Sequence, residues 1–165
     1  MAFDFTLSPY DSLQEGEKLN TINDGSGKTY AIQAHVAFDG TQANADVIPL
    51  GILHGTDVVY LGGYGNDTLT GMTDIDIGLY TLDGVAVDAD LFVDGDSLAT
   101  AQATPYGDNA LSAAAVSAIE DRVKKLGDVS AAVSTSEYYV LALTLNAAGS
   151  ASGDFVVKYE IIRQN

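Results

Sequence analysis

The sequence contains no cysteine and no tryptophan, and only three of its 165 residues are proline. Without cysteine there are no disulfide frameworks, thiolate zinc sites, iron–sulfur clusters or cysteine nucleophiles. No stretch approaches the ~20 uninterrupted apolar residues that a membrane-spanning helix needs. The first residues also lack the basic start and apolar run of a secretory signal. We therefore expect a chain that does not cross a membrane.

Basic residues are scarce as well. Seven Lys and Arg stand against 23 Asp and Glu, which gives a formal net charge of −16. Because nucleic acid and anionic membrane surfaces repel such a balance, we expect neither as a partner. Most of the acids are Asp, whose short carboxylate favours turns because it bonds to nearby backbone. The same carboxylate is also a calcium ligand.

The residues that are present predict one mainly β domain. Apolar residues make up 47% of the chain, which is enough for a single core. Residues 1–29 show no sustained periodicity and are interpreted as an N-terminal arm, whereas residues 30–165 are predicted to form the domain. From Tyr30 to Phe38, apolar and polar residues alternate strictly, as in a half-buried strand. Further strands are predicted at Val47–Ile52, Thr56–Gly62, Ile75–Leu79, Val85–Val93, Tyr138–Leu145 and Phe155–Ile162.

Three details refine this prediction. Pro49 cannot donate to a sheet ladder and therefore marks an edge strand or a bulge. One α-helix is predicted at about 111–126, because apolar residues recur there at helical spacing from Leu111 to Leu126. The last two strands are predicted to form a terminal hairpin. The fold class is therefore an antiparallel β-barrel or a jelly-roll-like sandwich with one inserted helix.

Two motifs resemble enzyme signatures but are incomplete. Gly25–Thr29 resembles the end of a phosphate-binding loop, yet Ile22 stands where that motif requires glycine, so a Gly-rich turn is favoured. Gly95–Leu98 has the four-letter signature of a lipase and esterase family in which the serine is the nucleophile. That chemistry needs a histidine near the C-terminus, and the only two histidines, His35 and His54, lie upstream. This motif too is interpreted as a turn.

The segment Gly62–Thr70 matches one unit of the calcium-binding nonapeptide of RTX proteins. Calcium is held there by successive turns of a β-roll, so a functional site needs several units. The nine residues on either side do not repeat the pattern. We favour a connection between two strands, with a calcium site as the alternative.

Paired carboxylates could support acid–base chemistry at Asp74/Asp76, Asp88/Asp90 and Asp94/Asp96. Their alternation with aliphatic residues instead predicts that they face solvent and stay ionised. His35 is predicted on the polar face of its strand and His54 in a loop. We therefore assign no catalytic, cofactor-binding or metal-binding residue, and we expect a protein that is not an enzyme and has no cofactor.

Two segments, Val47–Gly62 and Thr73–Tyr80, together with the final strand at Phe155–Tyr159, resemble small structural proteins of tailed bacteriophages. In those proteins a Leu-Gly, Leu-Pro phrase and a Val-rich strand precede a hairpin and a Thr-x-Asp-Ile-Gly strand. The resemblance covers about two thirds of the chain, roughly residues 30–93 and 137–162. This sequence departs from the pattern at His54, where proline is common, and in its predicted helix.

The resemblance implies a capsid decoration, or cement, protein. Such a protein is a β-barrel or jelly-roll subunit, often a homotrimer, bound to the major capsid protein lattice on the outer face of the virion. It has neither active site nor cofactor. Two alternatives remain open: another virion component, such as a head-fibre base or tail protein, and a calcium-dependent adhesion or carbohydrate-binding module.

Overall fold

The structure, a computed structural model, describes residues 28–101 and 123–163, and these form eight strands and one short helix. The elements are β1 (Lys28–Asp39), β2 (Asp46–His54), β3 (Val58–Asn66), β4 (Asp74–Thr81), β5 (Ala86–Asp96), β6 (Val123–Lys125), α1 (Leu126–Val129), β7 (Tyr138–Ala147) and β8 (Ser152–Arg163). Within these ranges no helix has the length and apolar character needed to span a membrane.

The eight strands form two antiparallel sheets of four. One sheet has the order β1-β8-β3-β6 and the other the order β2-β7-β4-β5. The pairs β1–β8, β2–β7, β3–β6 and β4–β5 are nested, so the chain resembles one long hairpin that has been rolled into two layers. This is the strand order of a jelly roll. The described strands thus confirm the mainly β prediction as a sandwich, and they do not close into a barrel.

The core lies between the two sheets and follows the predicted alternation. In β1, Ala34, Val36 and Phe38 are buried, whereas the residues between them are exposed. Strand β7 is different, because every residue from Tyr139 to Leu145 is buried. Its second face belongs to a small outer cluster in which Tyr80 packs against Val140 and Ala142. A near-continuous apolar run of this kind is typical of a strand covered on both faces.

The prediction for the strand that contains Pro49 is confirmed, whereas the prediction for the last two strands is not. Strand β2 is an edge strand whose register shifts between Pro49 and Gly51, which confirms the edge and the bulge expected from the proline. The prediction that the last two strands form a hairpin is wrong, because β7 and β8 lie in different sheets. Strand β7 pairs with β2 and β4, whereas β8 pairs with β1 and β3.

The predicted helix at 111–126 is wrong where it can be compared with the structure. Residues 111–122 lie outside the described residues, and Val123–Lys125 forms strand β6. These three residues pair with Val58–Tyr60 of β3, and the backbone N–H of Leu126 donates to the carbonyl oxygen of Asp57. Tertiary hydrogen bonds to a free sheet edge therefore override the local helical pattern. The helix that begins at Leu126, α1, has only four residues, which is about one turn.

The connections between strands gather at two opposite ends of the sandwich. The acidic end comprises residues 40–45, 67–73, 97–101 and 148–151 with the adjoining strand ends. The terminal end comprises residues 55–57, 82–85 and 126–137 together with the start of β1 and the end of β8. Eight Asp residues lie at the acidic end: Asp39, Asp46, Asp67, Asp74, Asp76, Asp94, Asp96 and Asp154. None of the Lys and Arg residues in the described ranges lies there.

Candidate functional site

The lipase-like segment Gly95–Leu98, which the sequence predicts as a turn, comprises the last two residues of β5 and the first two residues after it. Gly95 has a φ of +69°, a left-handed conformation that favours glycine, and it interrupts the alternation of the strand. Asp94 is therefore exposed, whereas Asp96 is buried and accepts a hydrogen bond from the hydroxyl of Tyr64. The prediction that both acids face solvent is thus wrong for Asp96.

Ser97, the residue in the nucleophile position, directly follows β5, and its side chain bonds to nearby backbone. Its Oγ accepts the backbone N–H of Ala99 at 3.3 Å and lies 3.5 Å from the carbonyl oxygen of Met72. His54 lies at the opposite, terminal end, where Nδ1 is 2.8 Å from Oγ1 of Thr56. A serine nucleophile needs an imidazole within hydrogen-bond reach, and this histidine is at the far end of the sandwich.

The nonapeptide-like segment Gly62–Thr70 is divided between a strand and a loop. Gly62–Asn66 belongs to β3, which continues past a bulge at Leu61/Gly63 and pairs with β8 as far as Asn66. The connection that the sequence predicts therefore begins only at Asp67. Asp67 fastens it to β8: its backbone N–H donates to the carbonyl oxygen of Asp154, and its carboxylate accepts the N–H of Asp154, both at 2.9 Å.

Asn66 ties the same loop to the end of β5. Its Nδ2 donates to the carbonyl oxygens of Asp67, Leu98 and Thr100, at 2.6, 2.9 and 3.2 Å. Its Oδ1 is buried and has no hydrogen-bond partner within the described residues. In the ranges 28–101 and 123–163, no group of three or more His, Asp or Glu residues is arranged to hold a metal ion.

The pair Asp74/Asp76 binds a neighbouring strand. Asn146 of β7 donates from Nδ2 to both carboxylates, at 3.1 and 2.7 Å, and the second carboxylate also accepts the N–H of Gly95 at 2.8 Å. The pair therefore joins β4 to the strands on both sides of it. These hydrogen bonds give both side chains a role in joining strands.

The pair Asp88/Asp90 lies where the edges of the two sheets approach each other. Partial burial, a hydrogen bond with Asp90 and the charge of Asp90 raise the pKa of Asp88, and the nearby Lys124 of β6 opposes the rise. A carboxyl with a raised pKa is a candidate acid. Here the charge of Lys124 favours the ionised carboxylate, and we assign Asp88 no catalytic role.

The two histidines lie in strands, and so does the described part of the segment that resembles a phosphate-binding loop. His35 lies on the polar face of β1, as predicted, with Nε2 2.9 Å from Oδ1 of Asp154. His54 ends β2 instead of lying in a loop, and its ring packs edge-on against Tyr138. Residues 25–27 lie outside the described residues, whereas Lys28 and Thr29 begin β1, where a phosphate-binding loop requires a helix.

The sequence did not predict the ion pair between Asp57 and Arg163. Asp57 is completely buried, and Arg163 binds its carboxylate through two hydrogen bonds of 3.0 Å each. The carboxylate also accepts the N–H of His54 at 2.7 Å. A local turn signal was present in the His-Gly-Thr-Asp phrase, but the arginine comes from the other end of the chain. The pair clamps the β2–β3 turn to the end of β8.

Comparisons with known proteins give one structural likeness. No family model matches the sequence, and no curated protein sequence matches it. The fold is similar to a solved structure of the capsid of Ralstonia phage GP4, with 12% sequence identity and a TM-score of 0.46. The similarity covers 92% of this chain and 94% of the phage chain.

Proposed function

We propose that this chain is a structural protein of a tailed-phage virion, and that it acts as a decoration protein on the outer surface of the head. The observation that carries the proposal is the resemblance in the strand-forming segments. Val47–Gly62 contains most of β2 and the first part of β3, Thr73–Tyr80 contains all of β4 except its last residue, and Phe155–Tyr159 is the centre of β8. Because jelly rolls also serve lectins and cupins, the proposal rests on these segments and not on the fold class.

The chain acts in this proposal without catalysis. Side chains that resemble catalytic groups are engaged in joining strands: Asp96 with Tyr64, and the Asp74/Asp76 pair with Asn146. The proposed partner is the major capsid protein lattice, and the proposed assembly is a homotrimer. A subunit that binds only the assembled lattice stabilises that lattice by mass action, as any ligand stabilises the state it binds. The charge of −16 disfavours nucleic acid as a partner.

The test uses heads assembled from the major capsid protein encoded in the same genome. The purified chain is mixed with these heads and, in parallel, with the unassembled capsid protein, and bound chain is measured by sedimentation. We expect binding to assembled heads only, together with a higher temperature of head disruption. Failure of the folded chain to sediment with heads contradicts the proposal.

Calcium separates the adhesion alternative from this proposal. The hydrogen bond from the N–H of Asp154 to the carboxylate of Asp67 indicates that Asp67 stabilises its loop without an ion. We therefore expect millimolar calcium to leave the melting temperature of the isolated chain unchanged. A ligand that binds the folded state at 100 times its Kd adds about 2.7 kcal/mol. A clear rise in melting temperature with calcium therefore favours the adhesion module.

A further inference from the structure

We propose that the peptide between Asp94 and Gly95 isomerises spontaneously to an isoaspartyl linkage, with the carboxylate of Asp76 as the general base. This inference goes beyond the proposed function and does not depend on it. Both residues of the peptide are exposed, and they lie near the end of β5 at the acidic end of the sandwich. The reaction needs no enzyme, because its reacting groups, water apart, all belong to this chain.

Asp94 and Gly95 lie in a bulge of β5. From Val93 to Asp96 the strand advances by three residues, while the paired residues of β4 advance by two. Within the bulge, the N–H of Gly95 donates to Oδ1 of Asp76 at 2.8 Å. Gly95 has a φ of +69°, and a Cβ built on it would have no other atom within 4 Å. The peptide is therefore open to water and has room to close a ring.

Isomerisation begins when the backbone nitrogen of Gly95 attacks Cγ of Asp94 in its protonated carboxyl form. The new N–Cγ bond closes a five-membered succinimide ring, and the bond from Cγ to the hydroxyl breaks. The amide proton passes to Oδ1 of Asp76 and then to the leaving hydroxyl, which departs as water. Water next adds to the main-chain carbonyl carbon of Asp94 and breaks its bond to nitrogen, so the chain then continues through Cγ.

The other Asp-Gly peptides in the described ranges lack such a base. At Asp83–Gly84, the N–H of Gly84 donates to the carbonyl oxygen of Thr81 at 3.0 Å. A peptide carbonyl accepts a hydrogen bond but does not take up the proton, whereas a carboxylate does both. Asp83 is exposed like Asp94, so the hydrogen-bond acceptor of the glycine N–H is the feature that separates the two sites.

Asp39–Gly40 lacks the base as well, and its carboxyl group is held in the unreactive form. The N–H of Gly40 donates to the amide oxygen of Gln42 at 3.1 Å. Hydrogen bonds from the hydroxyl and the N–H of Thr41 and from the amide of Gln42 to Oδ1 lower the pKa of Asp39. Ring closure needs the protonated carboxyl, so these contacts oppose it.

Isomerisation at Asp94 changes the end of β5. The main chain gains one carbon atom before Gly95. Asp96, one residue further along, is buried and accepts a hydrogen bond from the hydroxyl of Tyr64. A longer main chain displaces this buried pair, and a buried polar group that loses its partner is destabilising. We therefore expect the isomerised protein to unfold at a lower temperature than the fresh protein.

Peptide mapping of the aged, folded chain tests the proposal. The protein is incubated at mildly acidic pH in water enriched in heavy oxygen, and its peptides are analysed by mass spectrometry with electron-transfer fragmentation. This method distinguishes isoaspartate from aspartate and locates the incorporated oxygen. We expect isoaspartate at Asp94 to form at least about tenfold faster than at Asp83 or Asp39. In urea, where no fold positions the base, we expect similar rates at the three sites. Similar rates in the folded chain contradict the proposal.

Asp76→Asn tests the base directly, because the amide oxygen still accepts a hydrogen bond but does not take up a proton. We expect the rate at Asp94 to fall at least about tenfold. Asp74→Asn is the matched control: it removes the same charge, and Asp74 also binds Asn146 but not Gly95. We expect the control to react like the unsubstituted chain.

Circular dichroism verifies that both variants fold. An unchanged rate in Asp76→Asn, or equal losses in the two variants, contradicts the assignment of the base. If Asp76→Asn does not fold, the comparison of the three sites in the unsubstituted chain decides.

Discussion

At the scale of single residues, close backbone contact and one buried ion pair determine how the strands meet. Gly78 of β4 lies where β5 crosses closely: a Cβ built on it would be 2.2 Å from the carbonyl carbon of Ala89 and from the carbonyl oxygen of Asp88. No side chain fits there, because both neighbours are backbone atoms that cannot rotate away. Glycine in the middle of a strand otherwise weakens it, so its presence here reflects this close approach.

Gly78→Ala is therefore expected to destabilise the protein by about 3 kcal/mol, the upper part of the range for overpacked sites. Gly127→Ala is the matched control, because its added Cβ meets its nearest neighbours at 3.4 Å, a contact that small adjustments relieve. Urea unfolding of both variants measures the difference. Equal stabilities would show that β5 does not lie against Gly78.

The Asp57–Arg163 pair leads to a second prediction at this scale. Arg163→Gln leaves a completely buried carboxylate without its cation, although the N–H of His54 still donates to it. Because the side chain of Arg163 is 39% exposed, we expect a loss of about 2 kcal/mol, less than the 3–5 kcal/mol of fully buried pairs.

The control for this variant is Lys125→Gln, which breaks the exposed Lys125–Asp128 pair. Exposed pairs contribute about 0–1 kcal/mol. Denaturant unfolding at neutral pH compares the two variants. A loss for Arg163→Gln no larger than that for Lys125→Gln would contradict the clamp at the end of β8.

At the scale of elements, the sequence predicts strands well and their partners less well. The alternation in β1 predicts its two faces correctly because burial on one side of a sheet requires a period of two. The 123–126 segment fails because its helical spacing competes with hydrogen bonds to Val58–Tyr60, which lie far away in the chain. Likewise, the assignment of β7 and β8 to different sheets depends on long-range pairing that no local pattern encodes.

This difference between helix and strand is testable with two alanine variants. A helical stripe would bury both Val123 and Leu126, whereas the structure exposes 45% of Val123 and completely buries Leu126. Leu126→Ala is therefore expected to cost about 3 kcal/mol, and Val123→Ala less than about 0.5 kcal/mol. Scanning calorimetry of the thermal unfolding of each variant measures the two losses of stability. Similar losses at the two positions would support the helix instead.

The neighbouring carboxyl groups of Asp88 and Asp90 in β5 predict a pH dependence of stability. Burial and Asp90 raise the pKa of Asp88 above its ordinary value of 3.8. The folded state therefore binds a proton more tightly than the unfolded state, so this site adds stability as the pH falls through the raised pKa toward 3.8. Above that window the negative charge of Asp88 reduces the stability of the folded state.

Asp90→Asn removes the charge that raises the pKa, and it is expected to stabilise the protein at neutral pH by less than about 1 kcal/mol, since the pair is partly exposed. It should also reduce the gain in stability on acidification between neutral pH and pH 4. Asp83→Asn, an exposed acid in the 82–85 hairpin, is the control for net charge. Unfolding curves measured across this range test the sign, and a destabilised Asp90→Asn protein at neutral pH would contradict it.

At the scale of the whole molecule, the jelly roll separates two chemically different ends. The composition reveals the acidic excess but not its placement, because the nested pairing of the strands brings Asp39, Asp74 and Asp154 to the same end of the sandwich. The structural roles of the candidate site residues also depend on long-range strand pairing. Their motifs were visible in the sequence, while their structural roles depended on partners such as Tyr64 and Asn146 in distant strands.

An image reconstruction of the particle that carries this chain tests the central claim most directly. The account predicts density for the eight-stranded sandwich on the outer face of the head. Density for the sandwich in the tail, inside the head or absent from the particle would contradict it.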